Sequence, residues 1–223
     1  MRMSPIKATI AAVSALCLRA AASAAAPNVT AVPLGTSCTS YPGFDGSGAG
    51  PFIAVAHSTG RAVDGIGLNA AYFVDGTRRY GYVIAPAEVP TRNITMRCAG
   101  GKLQARLSMV AGGEPTWEEL VVSGDPGLEG ALGFGFAQDE GEDGGSGGYR
   151  SIPLEPYWHF VGGEQVPGVF LGAAGSTTFG FAHNSAGAAG EYYLLRLLGT
   201  GRFNRWELGR LDTVGFLKVT YDY

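Results

Sequence analysis

Apolar and polar side chains alternate along several short stretches of this chain, and the stretch from Lys102 to Met109 shows the alternation most clearly. Its odd positions are apolar and its even positions are polar. That period of two is typical of a β-strand with one buried and one exposed face. The C-terminal stretch repeats the pattern, since Leu217, Val219 and Tyr221 form a predicted inward face.

Short apolar runs recur between glycine-bearing turns from Phe52 to the C-terminus, and their aromatic and β-branched content favours strands. Helical periodicity is nearly absent, and Glu191–Leu198 is the one segment where a short helix is an alternative. Many short strands at regular spacing predict an all-β fold, an antiparallel β-sandwich or barrel. The predicted strands are Phe52–His57, Gly67–Val74, Tyr80–Ala85, Asn93–Cys98, Lys102–Val110, Trp117–Val122, Ala131–Ala137, Gly168–Ala173, Thr177–His183, Tyr192–Leu198, Phe203–Leu208 and Gly215–Tyr221.

An internal repeat makes a β-trefoil the alternative fold. The segment Phe134–Ala137 recurs 45 residues later as Phe179–Ala182, with the sequence Phe-Gly-Phe-Ala in both places. A looser copy, Ile53–Ala56, stands 81 residues before the first, which is not a multiple of that spacing. The sandwich or barrel is therefore the preferred prediction.

Residues 1–26 have the organisation of a secretory signal peptide. Arg2 and Lys7 precede the apolar run Ala8–Leu18, and small residues follow through Ala20–Ala26. This run is too short to cross a bilayer as a helix, and no other run reaches the ~18 apolar residues of a membrane helix. The sequence therefore predicts an exported, extracellular protein without a membrane span.

Beyond the signal we expect an extended leader rich in Pro, Gly and Ser at residues 27–50, then a single all-β domain at 51–223. After removal of the signal peptide with Cys17, two cysteines remain, Cys38 in the leader and Cys98 in the domain. An even number of cysteines in an exported chain predicts a disulfide, and two thiols allow one pairing.

Two acceptor sequons point to the same compartment. Asn28-Val29-Thr30 and Asn93-Ile94-Thr95 both satisfy N-x-S/T without proline. The first falls in the leader, and the second lies in or near an exposed strand. We therefore expect glycosylation at Asn28 and Asn93, in a eukaryotic secretory pathway.

Composition and charge exclude several classes of protein. Hydrophobic residues at 46% exclude an intrinsically disordered chain, and the 36 glycines follow no G-X-Y period, which excludes collagen. A net charge of −3 argues against a nucleic-acid partner. The acidic, glycine-rich tract 138–148 predicts a solvated loop, with a calcium loop as the alternative, although EF-hand spacing is missing.

The sequence contains no catalytic signature. Glu118 and Glu119 would face opposite sides of a strand, so they cannot form the carboxylate pair of a glycosidase. Ser58 beside His57 forms no triad pattern. Three histidines occur without metal-ligand spacing: His57, His159 and His183. We therefore expect no catalytic residue, no metal and no cofactor.

Aromatic residues are the remaining candidates for ligand contact. Exposed Trp and Tyr rings can stack on the C–H face of a pyranose, although a buried core would use such rings equally well. The segment Tyr157–Phe160 is the densest group. The candidate ligand-binding residues are Trp117, Tyr157, Trp158 and Trp206.

Parts of the N-terminal half resemble a family of fungal secreted cell-wall proteins. The resemblance runs from Phe52 to Gly60 and through Gly67–Ala70 to Tyr72–Val74, with Cys98–Leu103 and Gly130–Phe134 matching later elements. The family includes phialide-associated cell-wall proteins and IgE-binding allergen-like proteins. The resemblance implies a secreted or wall-associated all-β protein without enzymatic activity, and it supplies no catalytic residues.

These observations together predict a secreted, non-enzymatic fungal protein that is associated with the cell wall or cell surface and binds wall polysaccharide. Two alternatives stay open: a secreted glycoside hydrolase, which needs two carboxylates about 5–10 Å apart in a cleft, and a host-directed effector.

Overall fold

The computed structural model describes residues 26–75, 78–86, 93–108, 113–124, 130–134, 150–186, 190–198 and 211–221. These residues form fourteen strands and a short 3-10 helix at Cys38–Ser40, and they contain no α-helix. The strands are Thr30–Pro33 (β1), Gly48–His57 (β2), Asn69–Asp75 (β3), Arg78–Pro86 (β4), Met96–Ala99 (β5), Lys102–Leu107 (β6), Thr116–Gly124 (β7), Gly130–Phe134 (β8), Arg150–Pro153 (β9), Glu155–Val161 (β10), Glu164–Gly172 (β11), Phe179–Ala186 (β12), Gly190–Leu197 (β13) and Thr213–Tyr221 (β14).

All strand pairs are antiparallel, and the sheet curls into a half-barrel. Two strands act as corners because each belongs to both layers. The first half of β7 pairs with β6 and its second half with β8. The start of β14 pairs with β12, and its remainder lies between β2 and β11. Strands that pass from one sheet to the other in this way allow two packed layers to close around one core. The predicted all-β sandwich or barrel is confirmed.

The main core lies inside the curl and is lined by alternate residues of the strands. In β6 these are Leu103, Ala105 and Leu107, all buried, while Lys102 and Arg106 are exposed. The alternation predicted from the sequence is therefore confirmed there. The largest fully buried side chains of this core are Phe52, Leu68, Met96, Leu120, Leu132, Leu171, Phe179, Phe181 and Leu195.

The C-terminal strand β14 departs from its predicted pattern. Leu217 and Val219 face the core as expected, but Tyr221 is 52% exposed at the end of the strand. Phe216 on the opposite face is buried as well. This strand is covered on both faces along part of its length, so a single inward row does not describe it.

The segment Glu191–Leu198 is a strand rather than the alternative short helix, since β13 pairs with β12 along its whole length. The repeat that suggested a trefoil does not occupy equivalent positions. Phe134 ends β8 opposite Leu120, whereas Phe179 begins β12 between Leu197 and Gly215. Residues 135–137 of the first copy and the predicted strand 203–208 lie outside the described residues.

The leader is fixed to the body at two places. Its strand β1 adds to the edge of β10, with Val32 opposite Trp158. The predicted disulfide is present and joins Cys38 to Cys98 in β5, with the two Cα atoms 5.4 Å apart. Strand β2 begins at Gly48, so the last residues of the predicted leader already belong to the sheet.

Candidate functional site

A second cluster of packed rings lies on the face of the sheet away from the main core, with three of the rings buried and the fourth half-buried. It consists of His57, His159, Phe170 and Phe216, from β2, β10, β11 and β14, and we call it the histidine cluster. Its position follows from alternation, because Ala56, Leu171 and Leu217, adjacent to three of its members, belong to the main core. Strands β2, β11 and β14 thus carry packed side chains on both faces.

The rings of the histidine cluster are in direct contact. The imidazole of His159 stacks on Phe170 with centroids 3.8 Å apart and meets Phe216 edge-on at 4.7 Å. His57 approaches Phe170 edge-on at 5.6 Å. The side chain of Lys218 lies against Gly168, where an added Cβ would be 2.6 Å from its Cε, and its Nζ is 5.9 Å from the Phe170 centroid.

The turn after β11 covers this face. The hydroxyl of Thr177 is 2.8 Å from Nε2 of His159. The backbone N–H of Gly175 donates to the hydroxyl of Tyr157 at 3.0 Å, and that hydroxyl donates in turn to Glu155. Tyr157 has no exposed surface. Its ring therefore offers no face to a ligand, and its place in the candidate set is explained by packing.

Burial determines the charge state of the histidine cluster. It lowers the pKa of His159 to about 4, with a further contribution from His57. The pKa of His57 is lowered by burial and by the nearby Lys218, against an opposing effect of Asp64. Both imidazoles are therefore neutral at pH 7, which suits rings packed against phenylalanine.

The turn that follows His57 places a hydroxyl beside its ring without forming a catalytic triad. Oγ of Ser58 is 2.7 Å from Nδ1 of His57, and Ser58 has a φ of 57°. The carboxylate of Asp64 accepts the backbone N–H groups of Thr59 and Gly60 at 2.8 and 3.0 Å. Asp64 thus holds the turn instead of orienting the imidazole, as a triad would require.

The third histidine belongs to another part of the sheet. His183 in β12 is 3.5 Å from a carboxylate oxygen of Glu191 and meets Tyr193 edge-on. In the described ranges, no three His, Cys, Asp or Glu side chains lie close enough together to hold a metal ion. The acidic tract 138–148 lies outside those ranges.

Glu118 and Glu119, the two carboxylates weighed as a glycosidase pair, and Glu155 beside the aromatic segment each have a partner. Glu119 lies opposite Gln104 on the outer face and pairs with Lys102 at 2.6 Å, whereas Glu118 lies opposite Ala105 and accepts the hydroxyl of Thr116 at 2.6 Å. The two therefore occupy opposite faces, as predicted. Glu155 is engaged by Tyr157.

Trp158 is the exposed aromatic candidate. It is 41% exposed on the outward face of β10, opposite Val32 of β1, which is 38% exposed. Phe160 follows two residues later on the same strand and is half-buried. Trp158, Val32 and Phe160 form an apolar strip, which we call the Trp158 strip. Trp206 lies outside the described residues.

Trp117 is half-buried and carries a cation on its ring. The guanidinium carbon of Arg97 lies 4.2 Å from the ring centroid, and Nε of Arg97 donates to Gln104 at 2.8 Å. Sequence reasoning missed Arg97, because its contact with Trp117 depends on the registers of β5, β6 and β7. In Tyr157-Trp158-His159 the exposed ring and the buried ones are all aromatic, so the sequence does not separate them.

The two predicted glycosylation sites differ in surroundings. Asn28 is exposed in the leader, while Asn93 is half-buried, with its side chain against Gly67, where an added Cβ would lie 2.3 Å from Oδ1 of Asn93. Glycosylation at both stays a prediction. No helix among the described residues is long and apolar enough to cross a membrane.

No protein-family model and no curated protein matches the sequence.

Proposed function

We propose that this is an exported, non-enzymatic protein of the cell surface or wall, and that it binds wall polysaccharide through the Trp158 strip. The observation that carries the proposal is the exposed ring of Trp158 on a strand that is paired on both sides, with β1 and with β11. An indole held on paired strands loses little conformational freedom when it stacks on a sugar. The disulfide between Cys38 and Cys98 supports export, because such bonds form and persist in oxidising compartments.

Several features favour binding over catalysis. Glu118, Glu119 and Glu155 are each occupied by a neighbour, and the histidine cluster is packed with apolar rings. The resemblance of the segment Phe52–Val74 to fungal wall proteins also favours a non-enzymatic function. Association with a fungal wall is part of this proposal.

Retention on insoluble β-glucan and chitin tests the proposal. We expect the purified protein to be retained over an albumin control and the Trp158→Ala variant to lose most of that retention. Phe44→Ala is the matched control, because Phe44 has the same 41% exposure and lies outside the strip. Both variants should keep the urea midpoint of the parent within error.

Equal retention of the two variants would remove the Trp158 strip from the proposal. Absence of retention of the parent protein on every insoluble glycan would reject polysaccharide binding altogether. Release of reducing sugar from these glycans by the parent would favour the glycoside hydrolase instead.

A further inference from the structure

The outer face of β5, β6 and β7 concentrates positive charge on a chain whose net charge is negative. Arg97, Lys102 and Arg106 all point outward from this face, as alternation in the paired strands requires. Glu119 is the acidic side chain among them, and Lys102 pairs with it at 2.6 Å. We call these four residues, with Gln104 and Trp117, the Arg97 face. It bears a local charge of the opposite sign to the whole chain.

The guanidinium of Arg97 is held in place on two sides. Gln104 accepts its Nε–H at 2.8 Å, and the ring of Trp117 lies beneath it at 4.2 Å. At the base of the side chain Gly50, with φ +129°, brings bare backbone close, since an added Cβ would lie 3.0 Å from Cβ of Arg97. A guanidinium fixed in this way can bind a carboxylate without first losing rotamer freedom.

The register places further cations beside it. Arg106 lies directly opposite Trp117 on the neighbouring strand, and Trp117 is the ring on which the guanidinium of Arg97 stacks. Lys102 lies two residues from Gln104 in the other direction. Three cations spread over two neighbouring strands suit an extended polymer that carries repeated negative groups better than a single small anion.

We propose that the Arg97 face binds an acidic polysaccharide, with Arg97 and Arg106 contacting its carboxylates and Lys102 adding charge. The ring of Trp117 is capped by Arg97, so the face lacks the open aromatic platforms on which single-stranded nucleic acids stack. The site belongs to β5–β7, whereas the Trp158 strip belongs to β1 and β10, and the two proposals stand or fall separately.

Binding of soluble polygalacturonate, measured by calorimetry at 20 and 500 mM salt, tests this inference. We expect binding to the acidic polymer and about tenfold weaker binding to its fully methyl-esterified form. Arg97→Gln should weaken binding to polygalacturonate about tenfold, because it removes the fork that contacts the carboxylate. High salt should weaken binding of the parent, as contacts between exposed charges require.

Arg61→Gln is the matched control, since it removes the same charge from an exposed turn outside the face. It should bind like the parent. Arg97→Lys keeps the charge but loses the planar fork, and it should fall between the parent and Arg97→Gln. This variant also guards against misfolding, because it retains the aliphatic stem on Trp117.

Three results would overturn the inference: equal affinity for polygalacturonate and its methyl ester, equal loss in Arg61→Gln and Arg97→Gln, or equally tight binding of an oligonucleotide. A sulfated polysaccharide that binds while polygalacturonate does not would overturn the assignment to carboxylates. Trp158→Ala should bind polygalacturonate normally, so failure of the glucan experiment leaves this one intact.

Discussion

His159 lies flat against Phe170, with the two ring planes within 7° of each other and their centroids 3.8 Å apart. The stack is buried, and Thr177 closes it on one side at 2.8 Å from Nε2. A charged imidazole in this position would lose its hydration without gaining a carboxylate partner among its described contacts. The stack therefore couples folding to pH.

We expect acid to destabilise the protein between about pH 6.5 and pH 4. The pKa of His159 is about 4 when folded and 6.5 as a model value, so the unfolded chain binds more protons in that interval. The contribution of His159 to the free energy of unfolding is complete above pH 6.5 and is lost as the pH falls to about 4. The loss is on the order of 3 kcal/mol, and the lowered pKa of His57 acts in the same direction.

Urea midpoints across this pH range check the expectation. His159→Phe should flatten the profile, because it keeps an aromatic ring on Phe170 and removes the titrating group. Thr177→Val should lower stability at every pH while keeping the slope, because it removes a hydrogen bond and leaves the imidazole. A His159→Phe profile as steep as that of the parent would show that the slope originates elsewhere.

Gly172 should tolerate no side chain. An added Cβ would lie 2.3 Å from the carbonyl oxygen of Ser176 and 2.7 Å from the ring of Tyr157. Gly172→Ala should therefore cost about 1–3 kcal/mol or more, through displacement of the covering turn. Gly180→Ala is the control in another buried strand position, since its nearest neighbour is the flexible end of Leu198 at 3.2 Å. Thermal unfolding of both variants should show the larger drop for Gly172→Ala.

A stabilising substitution is expected in the same turn. Ala174 is exposed and has a φ of 50°, a region that glycine occupies without steric cost. Ala174→Gly should raise the free energy of unfolding by about 0.5–1 kcal/mol. The adjacent Ala173 is fully buried, and Ala173→Gly should lower it by about 1 kcal/mol. Urea titration would contradict the explanation if both variants were destabilised alike.

The disulfide should contribute strongly, because Cys38 and Cys98 are 60 residues apart. Closing a loop of that length restricts the unfolded chain by roughly 4 kcal/mol. The Cys38→Ala and Cys98→Ala double variant should lose about that much, measured by urea unfolding. Dithiothreitol should destabilise the parent by a similar amount and leave the double variant unchanged. Destabilisation of the double variant by the reductant would indicate an effect unrelated to this bond.

The sequence predicts most strands but misses β1, β9 and β10. Strand β10 contains Tyr157-Trp158-His159-Phe160, whose uniformly aromatic character hides the alternation of buried and exposed side chains. Strand β14 shows a related limit, since Phe216 and Leu217 are both buried on opposite faces. Alternation of apolar and polar residues identifies a strand that has one face exposed to solvent. The alternation is lost where both faces of the strand are buried.

The sequence by itself determined the all-β class, the inward and outward residues of β6, and the pairing of Cys38 with Cys98. Each depends on local alternation or on a count of cysteines. Only the tertiary structure decided that His57 meets Phe170 and that Arg97 lies over Trp117. Those contacts depend on which strands become neighbours and in which register, and pairing between distant segments leaves no periodic signal in either one.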